Sequence, residues 1–151
     1  AERLTGGFGG ADISAYRIDG RRRYDVITHS SYGTTESIGI AGHSWFCDGH
    51  NPWQANTQPA IDTLTLMPWW THRRAVRLLD HARERGRPVV DLALADMPGP
   101  AARPPFWFRL HIDLATGRVL HMRMIAPGHF MDQRYLAFNR PAGVHPPSRP
   151  C

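Results

Sequence analysis

From Phe106 to Ile125 the chain alternates apolar and polar side chains with a period of two. Phe108, Leu110 and Ile112 fall on one side, and Trp107, Arg109, His111 and Asp113 on the other. After a short break Leu120, Met122 and Met124 continue the apolar side, while Val119, His121, Arg123 and Ile125 continue the mixed one. This periodicity marks half-buried strands. Two paired strands must turn their apolar residues to the same face, because a slip of one residue sends one set into water. Pairing Ile112 with Leu120, Leu110 with Met122 and Phe108 with Met124 meets that condition. It predicts a hairpin with a three-residue loop, Ala115, Thr116 and Gly117, with glycine at the left-handed position. His111 then faces His121, and Arg109 faces Arg123.

Similar patterns run along most of the chain. Ala15 to Ile18 is a short strand candidate, and Arg23 to His29 alternates with Tyr24, Val26 and Thr28 on one face. Glu36 to Ile40 and His43 to Cys47, rich in β-branched and aromatic residues, flank Gly42. Turn residues from Asp48 to Pro52 precede Trp53-Gln54-Ala55, and Pro59 to Pro68 reads as a crossing with a short apolar turn. The segment from Thr71 to Asp96 supports two readings. THRRAVRLLDHARERG contains good helix formers and ends in glycine. Yet Val76 and Leu78, Arg85-Gly86-Arg87, and the run Val89 to Leu94 also fit two strands joined at Gly86. No alternation of strands and helices and no internal repeat is present. The ends look different. AERLTGGFGGAD, residues 1–12, reads as a flexible lead-in, and the Pro-rich residues 142–151 read as a disordered tail, leaving a single domain at 13–141.

A chain of 151 residues, 42% hydrophobic and 21% charged, suits one globular domain with a modest core. The net charge of +5 rests on 18 arginines with no lysine. Their scatter, without a basic block interleaved with aromatics, argues against a nucleic-acid partner. No run reaches the length of a membrane span, and no charged-then-apolar leader opens the chain, so a cytosolic protein or a mature, excised soluble portion is expected. Cys47 and Cys151 are read as a buried thiol and a mobile terminal one, with a disulfide between them the alternative.

Tyr24, Val26, Ile38, Ile40, Phe108, Leu110, Leu120, Met122 and Met124 are the candidate apolar wall, of a ligand cavity or of a plain core. Trp69 and Trp70, beside Met67 and Pro68, are candidates for its mouth. Two sets of candidate metal ligands stand along the chain: His43, Cys47 and His50, and Met122, Met124, His129 and Met131, the latter soft enough for copper. Neither has the tight spacing of a zinc finger. The His111–His121 pair is flanked by Arg109 and Arg123, whose charge would repel a cation. A surface contact without metal is therefore expected there. No nucleophile elbow, metalloprotease motif or phosphate loop is present, and Asp25, Glu36, Asp91 and Asp113 cannot be paired from sequence. The chain is not expected to be an enzyme or to hold a cofactor.

The succession SAYRIDGRRRYDVITHS, TTESIGIAGHSWFCDGHNPWQ, GRPVVDLALAD and WFRLHIDLATGRVLHMRMIAPGHFMDQRYLAFNRP resembles the bacterial periplasmic lipoprotein-carrier superfamily, the LolA-like carriers and the LppX- and LprG-like lipoproteins. The resemblance spans about Ala15 to Pro141 and lies in the order and spacing of Arg21–Tyr24, Gly42–Trp45 with Trp53, Leu110–Met124 and Phe138–Pro141. It implies a mostly β (α+β) fold, a single curved antiparallel sheet forming an incomplete β-barrel with few short helices. It also implies a hairpin before GRPVVDLALAD, and an extracytoplasmic module in the periplasm or cell envelope that binds a lipid or lipoprotein acyl chain. A membrane tether or a fused membrane protein is a further expected partner. The rival expectation is a periplasmic copper-handling module.

Overall fold

The computed structural model describes residues 1–7, 10–56, 60–66, 69, 75–95 and 107–151. Alternation of side chains produces eleven strands: β1 (Glu2–Gly7), β2 (Gly10–Ile18), β3 (Arg23–Ser30), β4 (Gly33–Ile40), β5 (His43–Cys47), β6 (Gln54–Asn56), β7 (Arg77–Glu84), β8 (Arg87–Ala95), β9 (Trp107–Asp113), β10 (Val119–Ala126) and β11 (His129–Arg134). They form one antiparallel sheet in the order β6-β5-β4-β3-β2-β1-β11-β10-β9-β8-β7. Two meanders are thus joined through their outer members, the first strand of the chain pairing with the last. The sheet is curved and does not close into a barrel, so β6 and β7 are its edges. Among the described residues the one helical element is a 3₁₀ turn at Thr63–Leu66.

The described part of the ambiguous segment, residues 75–95, holds a hairpin. β7 and β8 meet at Arg85-Gly86, both with positive φ, 50° and 80°. That is the twist a two-residue hairpin loop needs. Pairing with β9 on its other side buries Val89 and Asp91 on one face and Leu94 on the other. These sheet bonds override the local helix propensity of β7.

The β9–β10 hairpin keeps the expected cross-strand partners Leu110–Met122, Phe108–Met124 and His111–His121. Its loop is one residue longer than the sequence suggests. Asp113 N–H donates to the Arg118 carbonyl at 2.8 Å, and Gly117 takes φ 67°. Ile112 therefore pairs with Val119 rather than Leu120, and a bulge at Leu120 restores the register.

Both ends differ from the expected flexible segments. The lead-in makes all of β1 and the start of β2, zipped between β11 and β3. Its glycines have a packing role: a Cβ on Gly6 would lie 2.3 Å from a ring carbon of Phe130 on β11, so only glycine admits the ring. The Pro-rich tail lies on the sheet. Val144 is buried, Arg149 pairs with Glu36, and Trp53 Nε1–H donates to the Arg149 carbonyl at 2.9 Å. Cys151 is bonded to Cys47, with Cα atoms 5.4 Å apart, which replaces the expected free thiols. The thiolate set His43, Cys47 and His50 loses its soft ligand by the same bond.

Candidate functional site

Residues directly opposite in neighbouring strands share a face, so the ladders assign every strand side chain. One face carries Leu94, Phe108, Leu110, Met122 and Met124, buried against one another, with Trp69, Ile112, Val119, Met131 and Tyr135 packed around them. Trp69 Nε1–H donates to the Tyr135 hydroxyl at 2.8 Å, and burial pushes that phenol up to about 12 despite the bond. Tyr24 and Val26 lie on the same face further along. The Tyr24 ring covers Gly39, where a Cβ would come within 2.3 Å of the ring and 2.9 Å of Ala60 Cβ, and burial raises its pKa.

Several sequence-predicted wall residues are elsewhere. Ile38 and Ile40 point to the opposite face, because β4 pairs Gly39, not Ile38, with Tyr24. Ile38 is buried there and lines the cleft beneath the tail. Leu120 sits at the bulge and lines a cleft of ≈ 300 Å³ with Glu84, Tyr135 and Leu136. Trp70 lies outside the described residues. Met122 and Met124, proposed with Met131 as soft ligands, are packed as core, and so are Phe108 and Leu110.

The opposite face is polar, and here the scattered carboxylates find partners. Arg17 pairs with Asp25, Arg149 with Glu36, and Arg87 with Asp113 at 3.2 Å. Arg109 grips Asp91 through Nε at 3.0 and 2.9 Å from its two oxygens. In each pair the carboxylate is buried and the guanidinium lies over it, half in water. Asp91 holds the Arg109 guanidinium above its ordinary pKa. At Asp113 burial works to raise the pKa, but the Ala115 amide, the Arg87 guanidinium and the Thr116 amide outweigh it and lower the carboxyl.

Between these pairs lies the histidine ladder. The rings of His111 and His121 are 5.3 Å apart, edge to face. His111 Nδ1 is 2.9 Å from Glu84 Oε2, and His121 Nδ1 is 3.8 Å from the same oxygen. His121 Nε2 is 2.8 Å from Asp132 Oδ1. With both rings and Glu84 only 17–18% exposed, this is not the surface contact expected from sequence. Nor is it flanked by bare positive charge: Arg109 is held by Asp91, and Arg123 Nε lies 3.9 Å from Asp132. Sequence could show the histidine pair, but Glu84 enters only through the β7–β8 hairpin.

Toward the other end of this face the polar pattern gives way. Trp107, Ile125 and Phe130 stand in register on β9, β10 and β11, with Leu4 and Ile13 paired beside them on β1 and β2. All five are exposed, Trp107, Ile125 and Ile13 by more than half. Arg109, Arg123, Asp132 and His29 border the patch along the ladders. The sequence carries a signal for Trp107 and Ile125, which break the polar alternation of the mixed face, but the register that brings Leu4, Ile13 and Phe130 beside them is set by β1, within the expected lead-in.

No family model matches the chain, and no curated protein matches it. Among the solved structures that align with it are two of MucB. One is MucB in the Pseudomonas aeruginosa MucA/MucB complex, 20% identical over 86% of this chain and 47% of that one, with a TM-score of 0.45. The other is MucB in complex with MucA(peri), 16% identical over 97% of this chain and 52% of that one, with a TM-score of 0.42. The chain spans about half the length of these proteins. The resemblance to lipoprotein carriers is therefore corrected: the neighbours found are MucB structures, and no carrier family model matches. Likenesses of this degree carry no functional argument.

Proposed function

We propose that the domain is an extracytoplasmic binding module without catalytic activity, and that it receives an amphipathic segment of a partner protein on the patch formed by Leu4, Ile13, Trp107, Ile125 and Phe130. The observation that carries this reading is the exposure of those five side chains on one face, Trp107, Ile125 and Phe130 in one row across β9, β10 and β11, and Leu4 and Ile13 in the adjoining row on β1 and β2. Contiguous exposed apolar patches with polar rims mark interaction surfaces. Tryptophan and arginine, here Trp107 at one end of the patch and Arg109 and Arg123 along its border, are residue types enriched at protein interfaces. An acyl chain is better served by a concave apolar cavity, and the side chains first considered for one are packed: Met122 is 0% and Leu110 3% exposed. The disulfide supports an oxidising compartment, since such bonds persist outside the cytosol.

Panning amphipathic peptides against the disulfide-bonded protein tests this. Binders should combine apolar anchors with flanking acidic residues, matching the arginine rim. Trp107→Asp or Ile125→Asp should weaken them by about thirtyfold, the level of an interface hot spot, with an unchanged circular dichroism spectrum. Binding that ignores both substitutions would refute the proposal. So would lipid, found by native mass spectrometry of protein purified from a bacterial host, that stays bound to the variants.

A further inference from the structure

The arrangement of Glu84, His111 and His121 has the connectivity of a metal centre, and we propose that these three residues bind a divalent transition ion of the zinc type. Their ligand atoms all lie within 4.8 Å of one another. A tetrahedral zinc with ligands at 2.0–2.1 Å requires ligand atoms about 3.3 Å apart. The two separations to Glu84 Oε2, 2.9 Å from His111 Nδ1 and 3.8 Å from His121 Nδ1, bracket that value. A set of two imidazoles and one carboxylate, with no thiolate, suits zinc.

The surroundings strengthen the case. Metal-binding histidines present one ring nitrogen to the ion and donate the other N–H to a carboxylate or carbonyl, which fixes the tautomer. His121 fits this pattern: Asp132 accepts from Nε2–H, and the other ring nitrogen, Nδ1, faces Glu84 Oε2 at 3.8 Å, too far for a hydrogen bond and placed so that an ion between the two atoms would bind both. His111 also turns Nδ1 toward Glu84, at 2.9 Å, in a hydrogen bond that the ion would replace with loss of the Nδ1 proton, while its Nε2 lies 4.0 Å from Asp91 Oδ1, beyond hydrogen-bond reach. Both rings thus aim the same nitrogen at one point, and His121 has a hydrogen-bonded carboxylate behind it.

Charge permits the ion as well. Glu84, Asp91 and Asp132 set three negative charges against the two of Arg109 and Arg123. Asp80, opposite Asp91, and Arg134, opposite His121, add one of each sign and leave a net −1 with neutral histidines. Glu84 also lines the ≈ 300 Å³ cleft with Arg85, Arg87 and Arg134.

Isothermal titration of the untagged, disulfide-bonded chain with zinc chloride should give one site of micromolar affinity or tighter, and cobalt should give the visible ligand-field band of a low-coordinate nitrogen and oxygen site. Glu84→Gln, His111→Ala and His121→Ala should each abolish both signals. Asp132→Asn should weaken zinc by about 10–100-fold, as loss of a carboxylate behind a ligating histidine does. His43→Ala and His145→Ala, elsewhere on the surface, should leave binding intact. Glu84→Gln keeps the shape of the side chain, so it decides the matter if a histidine variant misfolds. No micromolar site in the wild-type chain, or a site that survives Glu84→Gln, overturns the proposal.

Discussion

Replacing Cys151 with serine should cost more stability than any change to the tail's other contacts. The bond joins residues 104 positions apart, so in the unfolded chain it closes a loop of more than two-thirds of the sequence. In the chain-entropy account a loop of that size restricts the unfolded ensemble by about 4.7 kcal/mol. With an unfolding entropy of about 2.1 cal/mol/K per residue, the 151-residue chain has a total near 0.32 kcal/mol/K, so the loss converts to a fall in Tm of about 15 °C. Cys151 is the cleaner substitution because Cys47 is buried, and removing its sulfur also disturbs packing beneath the tail. Thermal unfolding by circular dichroism, with and without reductant, measures the effect: reduced wild type and Cys151→Ser should melt together. Deleting residues 142–151 should cost more still, since it also removes the buried Val144 and the Arg149–Glu36 pair. A fall below about 4 °C, equivalent to about 1 kcal/mol, would refute the entropic reasoning. It would also weaken the case for an oxidising compartment.

Three further substitutions probe the sheet. Met122→Ala removes a fully buried side chain from the centre of the core cluster and should destabilise by about 2–5 kcal/mol in urea unfolding, with an unchanged m-value. Gly39→Ala places a methyl against the Tyr24 ring and Ala60; Tyr24 is also tied to the Ile61 backbone, so the ring cannot swing aside freely and the cost should be about 1–3 kcal/mol. The lowered Asp113 carboxyl sets a pH dependence: its contribution is complete above the ordinary value of 3.8 and is lost as the pH falls through the lower, folded value. Asp113→Asn should therefore flatten the acid limb of Tm against pH below about pH 4. An unaltered limb would remove Asp113 from the account.

The strands were legible because burial on one side imposes period two, and the period survives without knowledge of partners. The β7–β8 hairpin needed more: its helix-forming residues pointed one way, and only the tight turn at Arg85-Gly86 with the apolar run behind it pointed the other. Ile38 and Ile40 were placed on the wrong face for an instructive reason. They are the apolar positions of β4, so a two-sided pattern takes them as its inner face. Yet register puts Gly39 opposite Tyr24, and the aromatic covers the glycine while Ile38 is buried under the tail instead. A small residue facing a large one marks a close approach of the two strands' side chains, with Gly39 beneath the buried ring of Tyr24 and Gly6 beneath the exposed ring of Phe130. The tail's burial and the disulfide could not be read, because proline-rich composition describes the absence of regular structure, not the absence of contacts.

The polar face was opaque because its partnerships cross strands that are distant in sequence. Arg87 with Asp113, Arg109 with Asp91, and Glu84 with His111 each depend on the registers of two hairpins at once. The Leu120 bulge shows how narrow that dependence is. The four residues Leu114 to Gly117 turn the β9–β10 hairpin, and Ile112 meets Val119. Carried on without a bulge, that register would set His111 opposite Leu120 and Leu110 opposite His121, driving an imidazole into the methionine core and a leucine onto the polar face. The extra residue at 120 corrects the frame after one pair. Met122 then returns to Leu110, and His121 meets His111 within reach of Glu84. The apolar core and the histidine cluster, on opposite sides of one strand, are thus held in place by the same single-residue irregularity.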